Sequence, residues 1–207
     1  GKLRNFIQKG ETMKKQILVF LIAIFYTFSA SAEEGQLRGG LEIGYSPVDL
    51  EAEKTAQQLA NLSGSTVTVE YDMGGFVGRI FGNYGIVQNI DLEVGYFGTS
   101  SIDATYTIGS DSAKESYTAN GLDFSLIAKG SSGFFGRGGF HSSTIDAFGS
   151  ITIGSTTYNV TESYDGTSWL AGAGFEENNV RYSFTHYNNI GGDGGADFNM
   201  FSVGYLF

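Results

Sequence analysis

The sequence predicts an all-β fold: a closed, eight-stranded antiparallel transmembrane β-barrel behind an N-terminal signal peptide. Three observations lead there. The chain carries 31 glycines, 12 tyrosines and 17 phenylalanines in 207 residues, with one proline and no cysteine. That composition excludes disulfide scaffolds and cysteine-based zinc sites. It also suits neither an ordinary helical domain nor a disordered chain, which has few aromatics and more charge. Second, apolar and polar residues alternate in eight separate segments, the signature of strands with two unlike faces. Third, the links between those segments are long and short in turn, as in outer-membrane barrels with short periplasmic turns and longer outer loops.

The N-terminal residues read as export machinery. Met13-Lys14-Lys15 is cationic, Ile17 to Phe28 is a twelve-residue apolar run, and Ala30-Ser31-Ala32 supplies small residues for cleavage. The apolar run is shorter than the ~20 residues of a spanning helix. Residues 13–32 are therefore assigned as a signal peptide, residues 1–12 as an upstream extension outside the protein proper, and 33–207 as the barrel. Cleavage after Ala32 leaves 175 residues with a formal charge of −14. So acidic a chain argues against a nucleic-acid partner.

The first segment alternates Leu37, Gly39, Leu41, Ile43 and Tyr45 with Arg38, Gly40, Glu42, Gly44 and Ser46. The others fall at 76–81, 90–96, 122–129, 134–141, 169–176, 180–186 and 200–207. Glycine weakens the register at 74–81 and 134–141. Throughout, one face of the segments lacks charge, and the other faces between them carry glycine, hydroxyls and ions of both signs. A sheet with its apolar face in lipid must close on itself, because no open edge is viable there. The links run long (48–65), short (82–88), long (100–118), short (130–133), long (142–165), short (177–179) and medium (188–196). Ile151 to Val160 reads as a hairpin with a glycine-first two-residue turn, and Ile102 to Ala119 as another. Asp49 to Leu62 holds helix formers with an aspartate able to cap them.

The chain resembles the eight-stranded barrel of the outer-membrane protein A family over roughly 74–207. The resemblance rests on Gly74-Gly-Phe-Val-Gly78, Leu92-Glu-Val-Gly-Tyr96, Ala171-Gly-Ala-Gly-Phe-Glu176, Arg181 to Gly191, and the ending Phe201-Ser-Val-Gly-Tyr-Leu-Phe207. It implies a Gram-negative outer-membrane protein with a structural, envelope-integrity role and loops open to host or neighbouring cells. Phe201, Val203, Tyr205 and Phe207 resemble the signal read by the outer-membrane insertion machinery. Larger members carry a peptidoglycan-binding domain after the barrel; this sequence ends at Phe207, and a barrel-only relative is the expectation. Partners implied are outer-membrane lipid and lipopolysaccharide, the insertion machinery and periplasmic chaperones, and a monomer is expected.

A narrow eight-stranded barrel is filled by its own side chains, so charges inside it need partners. The alternation turns Arg38, Glu42, Arg79, Glu93, Lys129, Arg137, Glu176 and Arg181 inward, with Asp91 and Asp123 as further candidates nearer the ends. Glu93, Glu176 and Arg181 stand where the family has an interior ion-pair cluster; Lys129 matches that cluster's lysine by face, shifted by about two residues. The cluster reads either as a static polar plug or as a gate for a narrow ion path, and so charged an interior argues against an apolar-solute route. Trp169, Tyr182, Phe184, His186, Tyr187, Tyr205 and Phe207 are expected in interfacial aromatic girdles. His141 and Ser143 share a strand face, but no acid follows at matching spacing. No catalytic, cofactor or metal constellation is expected. An adhesin acting through the hairpins at 99–119 and 143–164 is the alternative function.

Overall fold

The computed structural model describes residues 35–48, 50–192 and 195–207. The assigned signal peptide and upstream extension lie outside the described residues. Ten strands and one helix follow in order: β1 (Leu37–Pro47), α1 (Ala52–Ser63), β2 (Thr68–Tyr71), β3 (Gly74–Val87), β4 (Ile90–Thr99), β5 (Ile102–Ile108), β6 (Asp111–Lys129), β7 (Phe134–Ile153), β8 (Thr156–Glu177), β9 (Val180–Ile190) and β10 (Ala196–Leu206). Eight of them, all but β2 and β5, form a closed antiparallel ring in the order β1-β3-β4-β6-β7-β8-β9-β10, with β10 returning to β1. The closing ladder pairs Gly40 with Leu206 and Tyr45 with Phe201.

Period-two burial runs around the whole ring. In β4, Asp91, Glu93, Gly95 and Phe97 point inward while Ile90, Leu92, Val94 and Tyr96 point outward. The glycine-dilute strands follow the same parity: Val77, Arg79 and Phe81 are inside in β3, and Phe135, Arg137 and His141 in β7. The outward set is a belt of exposed Ile, Leu, Val, Phe, Tyr and Trp side chains that includes Ile43, Phe76, Leu126, Phe140 and Val203. So large a contiguous apolar surface is foreign to a soluble monomer and is the lipid face of a membrane barrel.

Two tight turns match their residues. Between β8 and β9, Asn178 and Asn179 take φ of 50° and 68°, the left-handed pair that a two-residue hairpin needs and Asn tolerates. Between β3 and β4 the link is only Gln88-Asn89. The expected short link at 82–88 is thus corrected, since β3 continues as strand to Val87. The long links at 100–118 and 142–165 are also mostly strand. β6, β7 and β8 run on past the belt for 19, 20 and 22 residues. Their tips turn through Gly109-Ser110 and Gly154-Ser155. With β2 and β5 they make a projecting sheet in the order β2-β5-β6-β7-β8. Helix α1 packs Ala52 and Ala56 against Ala104 and Tyr106 of that sheet. Its N-cap is Glu51, without a side-chain capping bond; the expected cap, Asp49, lies outside the described residues.

Candidate functional site: a layered lumen

The lumen is filled in three layers. At the outer end, Val77, Phe97, Leu170, Tyr187, Ile190, Phe198 and Met200 form an apolar cluster. Phe97 and Tyr187 pack with ring centroids 4.8 Å apart. Below it lies a buried ion network. Arg79, from the middle of β3, is its hub: it donates to Glu42 at 2.9 Å, to Glu93 at 2.8 Å, and to both oxygens of Asp123 at 2.6 and 2.8 Å. Arg181 donates to Glu93 at 2.6 Å and to Glu176 at 3.2 Å. Arg137 donates to Asp123 at 3.2 Å and lies 3.6 Å from Glu93. Three guanidiniums thus meet three carboxylates, Glu42, Glu93 and Asp123. The lowest layer, at the end bearing the short turns, pairs Arg38 with Glu176 at 2.9 Å and Lys129 with Asp91 at 2.7 Å.

Small inward residues make this packing possible. A Cβ at Gly95 would lie 2.5 Å from the Arg79 Nη2, and one at Gly204 would lie 2.6 Å from the Glu42 Cγ. Aromatic rings line the other side: Arg79 and Arg181 sit 4.9 and 4.6 Å from the Phe81 ring centroid, and Arg181 5.1 Å from that of Phe135. Each cation thereby gains a ring face where it has no carboxylate.

All eight residues named from the sequence are brought into one connected set of ion pairs. Three expectations are corrected. Asp123 is not near a strand end: β6 starts at Asp111, so position 123 sits deep inside the ring, against Arg79. Lys129 does not join the central cluster but sits one layer lower, with Asp91 and Glu176. Tyr187 is not in an aromatic girdle. It shares parity with Arg181, Ser183 and Thr185, points into the lumen with no exposure, and donates its hydroxyl to Asp123 at 3.2 Å. The interior is also not charged throughout, since the outer cluster is apolar. That layer was legible in the same parity, which puts Val77 on the face of Arg79 and Phe97 on that of Glu93.

The other aromatics named from the sequence are not in the lumen core. Trp169, Tyr182, Phe184 and Tyr205 are exposed on the outer surface, with Phe201 and Val203 of the terminal segment. His186 and Phe207 are half-buried. The His141 ring bonds Ser143 at 3.1 Å through Nδ1 and the Asn188 carbonyl at 2.8 Å through Nε2. Its second nitrogen is held by a backbone oxygen rather than a carboxylate, and both side chains are buried. This pair braces β7 against β9.

Charge is sorted by height. The ten ionic residues of the lumen are five acids and five bases. Elsewhere from residue 35 onward the only bases are Lys54 and Lys114. Both lie toward the projecting end, in ion pairs with Glu51 and Asp103. Among the described residues, most of the excess acid therefore lies on the projecting sheet and around α1.

A closed eight-stranded ring, an apolar belt and a neutral, filled lumen define a transmembrane β-barrel of the outer-membrane type. Among solved structures the chain is similar to Ail, the attachment invasion locus protein of Yersinia pestis. The identity is 11% and the TM-score 0.53, over 84% of this chain and 100% of that one. OprG of Pseudomonas aeruginosa matches at 11% identity and a TM-score of 0.41, over 83% and 94% of the two chains. The N-terminal β-barrel domain of OprF from the same organism matches at 16% and 0.32, over 84% and 100%. The likeness to Ail is one of fold, that of the eight-stranded outer-membrane barrel. No family model and no curated protein matches the sequence.

Proposed function

We propose that the protein is a structural component of the outer membrane. In this reading a permanently plugged barrel anchors a projecting sheet, and residues 13–32 direct export before residues 33–207 fold as the barrel. The observation that carries it is the internally neutral ion network: each carboxylate of the central layer touches two or three guanidiniums. Opening a path through it would leave buried charges without partners, at a cost of about 3–5 kcal/mol for each broken pair. A static plug is therefore favoured over a gate. Phe201, Val203, Tyr205 and Phe207 are assigned as the insertion signal, and outer-membrane lipid, lipopolysaccharide, chaperones and insertion machinery as partners. The test is conductance in planar bilayers, with folding confirmed by heat-dependent gel mobility. Wild-type protein and Arg181→Ala are expected to show the same absence of discrete channel steps. A changed single-channel conductance in folded Arg181→Ala would instead establish a gate.

The projecting sheet favours a second reading, a surface adhesin. Among the described residues, the edge of β8 facing away from β7 has no strand partner from Thr156 to Thr167, and an open edge can accept an added strand. Removing residues 149–160 and rejoining the neighbours Phe148 and Thr161 through a two-residue turn spares the ring. An adhesin would lose adherence to cells while keeping its heat-dependent mobility; a purely structural barrel would keep both properties.

A further inference from the structure

At the outer mouth of the ring is a cavity of about 400 Å³, within the range of small-ligand sites. Ile102, Ala119, Ile145 and Ala147 form its walls, and Ile190 and Phe198 its floor. Beneath that floor the apolar cluster and the ion network close the lumen, so the cavity is a blind cup. Among the described residues no lysine or arginine lines it, and Asp197 stands in its wall. Two further wall residues, Tyr117 and Tyr164, hand their hydroxyl protons to carboxylates, Tyr117 to Glu115 at 2.7 Å and Tyr164 to Glu162. The two lysines toward this end are both taken by ion pairs. An apolar hollow with one acid in its wall and two more held by wall tyrosines, and with no free base beside it among the described residues, selects by charge as well as by shape.

We propose that this cup binds a small cationic amphiphile, with its hydrocarbon or aromatic body among Ile145, Ile190 and Phe198 and its ammonium group at Asp197. Anionic amphiphiles of equal length are turned away by the same acids. Binding is from the outer side and leads to no passage. The proposal stands apart from the plug reading, because conductance and cup occupancy are measured separately.

The test uses the folded protein in phosphatidylcholine nanodiscs, with empty nanodiscs as background and equilibrium dialysis of octylamine against octanoate. Octylamine is expected to bind saturably, one per barrel, with an affinity at least about tenfold above octanoate at low salt. Ile145→Trp, which narrows the cup beside its floor, should sharply reduce the excess retention. Ala147→Phe, which adds comparable bulk at a second wall position, should also weaken it severalfold, and Asp197→Asn should narrow the preference over octanoate. Retention no greater than by empty nanodiscs, equal binding of octanoate, or full retention by both narrowed variants with unchanged heat-dependent mobility would each overturn it.

Discussion

Replacing Arg79 with methionine tests whether the charges of the lumen act as one body. The methionine keeps most of the aliphatic stem but removes four hydrogen bonds to three carboxylates. Glu93 keeps Arg181 at 2.6 Å, Asp123 keeps Arg137 at 3.2 Å, and Glu42 is left with Arg181 at 3.7 Å and Ser183 at 3.4 Å. Three acids then face two bases with no exposure to water. Breaking a buried ion pair from one side costs about 3–5 kcal/mol, and Arg79→Met is expected to fall in that range. Adding Asp123→Asn restores two acids against two bases. The double variant should therefore recover about 1–3 kcal/mol relative to the sum of the single changes. The assay is urea unfolding of protein refolded into phospholipid vesicles, followed by fluorescence of Trp169, the sole tryptophan, and by heat-dependent mobility. Additive costs, or an Arg79→Met midpoint equal to wild type, would refute a mutually compensated network.

Three further outcomes are expected. Gly95→Ala places a methyl against the Arg79 guanidinium and should cost about 1–3 kcal/mol in the same urea assay, while Gly98→Ala, with open space at its Cβ, should cost less than half as much. Asn179→Val puts a β-branched residue at φ of 68° and should lose about 1–2 kcal/mol or slow refolding, with Asn179→Gly matching wild type in both. In the projecting hairpin, burial pushes the Asp103 carboxyl up, but bonds from Lys114, Ser101 and Ser116 outweigh it and hold the group at about 2, below its ordinary 3.8. A depressed carboxylate stabilises above its unfolded value and loses that contribution as pH falls from about 3.8 through 2. The protection of amides in β5 and the upper part of β6, each rate compared with its intrinsic rate at the same pH, should therefore fall several-fold between pH 5 and pH 2, and Asp103→Asn should flatten that dependence.

The parity of charged residues told most of what the sequence could tell. Arg38 with Glu42, Arg79 with Phe81, and Arg181 with Tyr187 each share a face by counting in twos, and the ring obeys that count even where glycine thins it. Applied to aromatics as strictly as to charges, it would have sent Tyr187 inward. The upper halves of β6, β7 and β8 were less legible for a physical reason. Above the bilayer both faces of β8 from Thr156 to Asp165 are exposed, so nothing enforces alternation and the strand resembles a loop. The depth of Asp123 was hidden by the same effect, because depth is counted from a strand end that lacks its own signal. The cup could not be foreseen, since Ile102, Ile145 and the Ile190–Phe198 pair come from three distant stretches of chain that only the assembled sheet brings together.

The uninterrupted strands also decide how the molecule bears load. β8, at 22 residues, measures about 70 Å along its axis, of which the belt of a membrane barrel spans only about 25 Å of height. No hinge separates the projecting part of β7 or β8 from the part inside the bilayer, and their mutual ladder runs unbroken from Ile153–Thr156 to Phe134–Phe175. A pull on the Gly154-Ser155 tip therefore travels straight down the strands and loads the β6–β7 and β8–β9 ladders in shear, many hydrogen bonds at once. A tether on a flexible loop would peel away one contact at a time; this one acts as a mast stepped into the barrel wall.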